Sequence, residues 1–445
     1  MKKAFTILSS IVLSTSLFAL SATELRFQEL EKKISLLEKK QKKQTKNLSK
    51  VKKLASKDNI KFDVDLRTSY DALSFKTADG KTHTKDALFM NRLWLGMGYA
   101  PLSNMLFKGQ MEYNKAYGSN YDNSFINQEI SNDALKIREA YWLWTPTTGS
   151  VGWSFSLGRR PGTSGYLINL RDDDKHKSAV GHIINQQFDG FSASIKLDKY
   201  VSGMYFKLCA ASGFSDLNAI EDEILKDTKI LGFVFKIYDD AQYSLVSSYY
   251  RAYDASGVYG VDNNSSTPNN TQNSGEVDGG VLSFKVDGIG DEINDFLDDT
   301  ILFASIAMTK TNPLDGVQML GSEESKSGYS YWIGAQVPNL SGGNFGVEYN
   351  HGSKYWRPFT YNEDTMIGSK MAVRGSAYEA YWTQPLIKRV FSMQVRYTFI
   401  DYDYTGSNAF FGDGGAPMKL SEAKAAGLDP VANASDLRVY FRYRY

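Results

Sequence analysis

The chain of 445 residues contains one cysteine, Cys209, and four histidines. A single thiol excludes an intrachain disulfide and any metal site built on clustered cysteines. Proline is scarce, at ten residues, which leaves long stretches free to pair as strands. No apolar run reaches the roughly 20 residues of a membrane-spanning helix, and charge of neither sign prevails, with 51 Lys plus Arg against 50 Asp plus Glu. Mean hydropathy is −0.37. Such an average does not exclude a transmembrane barrel, because lipid-facing apolar residues and lumen-facing polar ones alternate and cancel. Aromatic residues are what the chain has in plenty: 28 Tyr, 25 Phe and 7 Trp, a supply that suits strands and interfacial girdles.

The N-terminus reads as a signal peptide over residues 1–21. Lys2 and Lys3 precede the apolar run Ala4–Leu20, which ends in the small-residue stretch Ala19-Leu20-Ser21. With no cysteine nearby, a lipid-anchored N-terminus is not expected. From Phe27 onward, Leu30, Ile34, Leu37, Gln41, Gln44, Leu48, Val51 and Ala55 follow a 3-4 spacing, the seam of a coiled-coil helix over residues 22–57. A lone amphipathic helix lying on a surface is the other reading of this seam. Twelve Lys and Arg against four Glu make the segment strongly basic, whereas the rest of the mature chain is acidic.

After Asp58 the period changes from 3.5 to 2. Phe62, Val64, Leu66 and Thr68 alternate with Lys61, Asp63, Asp65 and Arg67, and at the C-terminus Leu437, Val439, Phe441, Tyr443 and Tyr445 alternate with Arg438, Tyr440, Arg442 and Arg444. One apolar and one charged face fit a lipid exterior and a wet lumen. The expected fold is an antiparallel outer-membrane β-barrel of about sixteen strands over residues 58–445, preceded by the helical segment in the periplasm. Strands are expected at 61–70 and 88–99 first and at 369–383, 388–402 and 435–445 last, with short periplasmic turns alternating strictly with long polar outer loops. The aromatic C-terminus resembles the targeting signal of outer-membrane barrels.

Three stretches, Gly346-Val347-Glu348-Tyr349-Asn350-His351-Gly352-Ser353-Lys354-Tyr355-Trp356, Arg374-Gly375 with Tyr378-Glu379, and Phe206-Lys207-Leu208-Cys209, resemble a family of porin-like outer-membrane proteins known only as a domain of unknown function. Arg138-Glu139-Ala140-Tyr141-Trp142 with Gly158-Arg159-Arg160 is similar to a hairpin of sixteen-stranded porins. The resemblance implies a third outer loop that folds inward and an assembly of three chains. It supplies no catalytic residue.

Read by alternation, the lumen wall carries Arg67, Arg92, Lys108, Arg138, Arg160, Arg396, Arg438, Arg442 and Arg444, with Glu112 and Glu348 among fewer carboxylates. Cationic excess would raise the local concentration of anions. The facing of Glu379 and of the strand around Ile301 stays open. In the third loop Arg171, Asp172, Asp173 and Asp174 are candidates for a constriction, with a solvated loop or a surface Ca²⁺ site as the alternatives. Asp262-Asn263-Asn264-Ser265-Ser266 fits an extended bacterial glycosylation pattern at Asn264.

These features imply a channel for passive diffusion of small hydrophilic solutes or ions, with a preference for anions. The competing reading is a structural or adhesive protein whose basic coiled coil ties the outer membrane to an anionic cell-wall polymer. His351, Ser353 and Asn350 offer the residue types of a nucleophilic set, but His351 and Ser353 would stand about 7 Å apart on one strand face, and no enzyme is expected. No phosphate loop or metal spacing appears, so no cofactor is expected. The basic segment is better explained by a coiled coil than by nucleic-acid binding.

Overall fold

The computed structural model describes residues 60–116, 135–146, 151–160, 162, 164–176, 179–212, 228–259, 270–290, 293–339, 341–360, 363–407, 409 and 411–445. The signal peptide, the coiled coil and Asn264 lie outside them.

Strand alternation produces sixteen antiparallel strands. They run β1 Lys61–Thr77, β2 Thr82–Leu102, β3 Met105–Ala116, β4 Lys136–Trp144, β5 Trp153–Arg160, β6 Phe188–Lys196, β7 Tyr205–Ser212 and β8 Lys229–Asp239. The second half comprises β9 Tyr243–Tyr259, β10 Asn270–Asp287, β11 Ile301–Pro313, β12 Ser327–Pro338, β13 Asn344–Gly352, β14 Gly375–Ile387, β15 Phe391–Tyr402 and β16 Val431–Arg444. Each pairs with its neighbour in sequence, and β16 pairs with both β15 and β1. The sheet therefore closes, which removes the unpaired edges that an open sheet would expose. Closure extends to the last residue: the Tyr445 amide and carbonyl each bond to Val64 at 2.9 Å. A two-residue segment, Phe411–Gly412, adds a short parallel bridge to β9.

The facing follows the period. On β1, Asp65, Arg67, Ser69 and Asp71 are buried while Phe62 and Leu66 are exposed; on β16, Arg438, Tyr440 and Arg442 are buried while Leu437, Phe441 and Tyr443 are exposed. The open assignments resolve with Glu379 facing inward beside Ala377 and Tyr381, and with Phe303, Ser305 and Ala307 buried on β11 against exposed Leu302 and Ile306. Large apolar side chains stay exposed all round the exterior, where aromatic pairs such as Trp144 with Trp153 (5.3 Å between rings) and Phe391 with Phe441 (5.9 Å) sit across adjacent strands.

Three expectations need correction. The first outer connection is not long: β1 and β2 extend beyond the expected 61–70 and 88–99 and join through residues 78–81, with Gly80 at φ +84°. The sequence there still alternates, and Asp79-Gly80 supplies a tight turn that accepts the left-handed conformation. Conversely, the inner connection between β10 and β11 is long, because residues 288–300 include a helical turn, Asp295–Asp298, capped by the Asn294 side chain. Strict alternation of short and long connections thus fails at both places. Finally, β14 begins at Gly375 and not at 369, since Lys370–Ala372 forms a 3-10 turn inside the preceding loop.

Candidate functional site

The candidate site is the barrel interior, and two loops fill much of it. Loop 3 denotes residues 161–187 between β5 and β6, and loop 7 denotes residues 353–374 between β13 and β14. They meet each other: Ile184 bridges Phe359 in parallel, the Asn185 amide donates to the Phe359 carbonyl at 2.6 Å, and the Phe359 amide donates to that of Ile183 at 3.0 Å. Loop 3 also folds on itself through a Tyr166 to Val180 bridge and the helical turn Ile168–Arg171. Leu167, fully buried at φ +75°, precedes that turn. A bulky residue in that region costs of order 1–3 kcal/mol and persists only where surrounding packing holds it.

One half of the interior is apolar. Inward side chains of β8 to β12, including Val234, Tyr250, Val281, Phe303 and Trp332, form one buried cluster with Leu167, Ile168, Val180 and Ile183 of loop 3 and Trp356, Phe359 and Met371 of loop 7. His182 lies within it. Its Nδ1 and Nε2 are each 2.8 Å from a serine hydroxyl, Ser305 and Ser330, and its ring meets Trp332 and Trp356 edgewise or tilted at 5.7 and 5.6 Å. Burial drives its pKa down to about 3, so the imidazole is neutral at ordinary pH.

The other half is an ionic network. Asp364 of loop 7 accepts from Arg67, from Arg92 at 3.2 Å and from Arg438 at 2.9 Å, while its carbonyl accepts from Arg396 at 2.9 Å. Burial pushes this carboxyl upward, but Arg67, Arg438 and Arg92 outweigh burial and hold it well below the ordinary range. Arg438 also pairs with Asp71, and Arg442 reaches Asp65 at 2.5 Å and Asp174 at 3.1 Å. From loop 3, Asp172 accepts from the Tyr440 hydroxyl at 3.1 Å, Asp174 from Arg444 at 3.1 Å, and the Asp173 carboxylate stands 3.8 Å from Arg444. The three aspartates are thus directed onto wall groups and do not converge on one point, as Ca²⁺ ligation would need. Arg171 does the reverse, a loop cation fully buried against Glu379 at 3.1 Å and Glu363 at 3.5 Å. Lys370 joins Glu348 at 2.6 Å to Glu379 at 2.5 Å, and the Trp332 indole donates to Glu348 at 3.0 Å.

The candidates named from alternation therefore divide into groups. Arg67, Arg92, Arg396, Arg438, Arg442 and Arg444 stand together on β1, β2, β15 and β16, where loop carboxylates meet them. Arg138 is tied to Glu112 at 3.0 Å and lies 3.8 Å over the Trp94 ring, whose environment it shares with Arg92 at 3.6 Å. Lys108 is 3.9 Å from Glu139. Arg160 stacks on Tyr141 at 3.6 Å and donates to Ser156. Asp364, Glu363, Lys370 and His182 were missed. Alternation names only strand residues, and nothing in an aperiodic loop marks which carboxylate turns inward.

Beside loop 3 the interior is open. A cleft partly open to solvent lies along β5 to β9, lined by Arg160 and Lys207 together with Ser192, Ile184, Phe188 and Val234. None of its lining side chains is acidic, and among the described residues no carboxylate stands within ion-pair distance of Arg160 or Lys207.

His351 and Ser353 are separately engaged. His351 Nδ1 lies 3.2 Å from the Ser376 hydroxyl, while the Ser353 hydroxyl accepts from the Tyr329 amide at 2.8 Å.

Residues 82–445 match the family described as "Protein of unknown function (DUF3373)". No curated protein matches the chain. Among solved structures, the chain is similar to the trimer form of OmpT, an outer membrane protein of Vibrio cholerae, at 10% identity and a TM-score of 0.49, over 87% of this chain and 99% of that one. It is likewise similar to an anion-selective porin from Comamonas acidovorans, at 12% identity and 0.49, over 87% and 100%. OprB of Pseudomonas putida gives 10% identity and 0.48, over 87% and 94%.

Proposed function

The chain belongs to the DUF3373 family, and on that premise we propose that it is an outer-membrane channel through which small hydrophilic anions diffuse passively. The exterior supports the membrane reading. A closed ring of strands with exposed Leu, Ile, Phe and Tyr all round leaves no backbone edge unpaired and presents an apolar surface to lipid.

The observation that carries the anion preference is the pair Arg160 and Lys207, which line the cleft and which no carboxylate among the described residues meets. The arginine strip on β1, β2, β15 and β16 does not carry it, because its members pair with Asp364, Asp173 and Asp174 from the loops and with Asp65 and Asp71 from the wall. Loops 3 and 7 act as the constriction that leaves this one side open. An assembly of three chains, with the segment 22–57 beneath the barrels as a coiled coil, completes the proposal.

The filled interior favours a second reading, a structural membrane protein whose basic N-terminal segment contacts cell-wall polymer. Planar bilayers separate the two. Single-channel current in a KCl gradient should reverse at a potential that reports chloride preference, and Arg160→Glu with Lys207→Glu should invert its sign. Purified barrel that gives no current above the bare bilayer would leave the structural reading in its place.

A further inference from the structure

We propose that the cavity beside loop 3 is a binding site for small monoanions with an apolar body, such as aromatic or medium-chain aliphatic carboxylates. The inference rests on the channel reading for how the ligand arrives, and it names the solute class the channel takes.

The strand register builds the site. Ser156, Ser192, Cys209, Gly232 and Tyr250 are cross-strand partners or one step from it along β5 to β9, forming one inward row. Lys207 lies two residues from Cys209 on the same face of β7, and Arg160 lies four from Ser156 on β5. Arg160 and Lys207 both line this cleft. Among the described residues no carboxylate forms an ion pair with either. Glu139 of the neighbouring strand β4 is engaged with Arg138 at 3.5 Å and Lys108 at 3.9 Å. Two cations in a confined space, without a counter-ion, favour an anion supplied from outside.

The rest of the wall decides what that anion carries. Ile184 and Phe188 stand on one side and Ile230 and Val234 on the other, so a fully hydrated ion would leave this carbon surface wet. A ligand with its carboxylate at Arg160 and Lys207 and its hydrocarbon against these side chains satisfies both parts. Gly190 and Gly232 allow close approach of the neighbouring strands here, since a Cβ at Gly190 would meet the Ala210 carbonyl oxygen at 2.2 Å and one at Gly232 that of Tyr249 at 2.5 Å.

Each buried methylene tightens binding roughly fourfold, so discrimination between acids is the measurable signature. Isothermal titration of the detergent-solubilised full-length protein with benzoate, acetate and benzyl alcohol reads both halves of the site. Benzoate is expected to bind at least tenfold more tightly than either of the others. Lys207→Gln and Arg160→Gln should each weaken benzoate severalfold, and Val234→Ser should bring benzoate down toward acetate. Benzoate no tighter than acetate or benzyl alcohol, or binding untouched by Lys207→Gln, overturns the proposal. Bilayer current is the independent readout: current with no benzoate preference removes this inference and leaves the channel, whereas benzoate binding without current leaves the site and removes the channel.

Discussion

Replacing Asp364 with Ala tests whether loop 7 is held inside the barrel by charge. Its side chain, 12% exposed, accepts from Arg67, Arg92 and Arg438, whose side chains are 3%, 10% and 0% exposed. Removing one partner from a buried ion network costs about 3–5 kcal/mol, because the remaining charges are left uncompensated. None of the strand ladders involves Asp364, so this penalty falls on the docked loop and not on the barrel. A cost of that size raises the undocked population of loop 7 by roughly a hundredfold or more. Two measurements follow. Hydrogen exchange across residues 353–374 should quicken by that factor while strands β13 and β14 stay protected. In bilayers, the loss of one carboxylate charge beside Arg67, Arg92 and Arg438 should move the reversal potential further toward anions. If exchange in loop 7 is unchanged in Asp364→Ala, the carboxylate does not hold the loop, and the division of the interior into a neutralised strip and a free cationic passage loses its basis.

Three further outcomes are expected. His182, whose folded pKa of about 3 lies below its unfolded value near 6.5, resists protonation while loop 3 is docked. Undocked loop takes the proton as pH falls below about 6.5, so docking loses about 2 kcal/mol by pH 5. Proteolysis within residues 164–187 should therefore rise between pH 7 and 5 in the native protein and lose that dependence in His182→Gln; a flat profile in the native protein contradicts the assignment. Phe441→Asp with Tyr443→Asp places charge on the outward face of β16 and should abolish the heat-modifiable band on gels, since lipid-facing charge costs up to a few kcal/mol depending on depth. Normal assembly of that variant would count against the facing of β16. Leu37→Asp with Leu48→Asp should dissolve self-association of the N-terminal segment without changing strand content, and cross-linking that shows the same species before and after would transfer that segment to wall binding.

Alternation by itself was enough to establish the barrel, because a strand has one period and two solvents: Leu66 beside Arg67 and Phe441 beside Arg442 can be satisfied together only with lipid on one side and a polar interior on the other. It also placed Arg67, Arg438 and Arg442 on the inner wall. The ends of β1 and β2 are legible too, since Asp79-Gly80 is a hairpin signal, although the polar residues around it look equally like a long outer loop. What the lumen does with its charge was decided only by tertiary structure. Asp364 lies nearly 300 residues from Arg67 in sequence, Arg171 about 200 from Glu379, and His182 well over 100 from Ser305 and Ser330. Loop residues have no periodicity to announce their direction. Only closure of the sheet brings β1, β14, β15 and β16 around the same two loops, so that the strip of arginines is paired with carboxylates while Arg160 and Lys207, met by no carboxylate among the described residues, remain the charged face of the cleft.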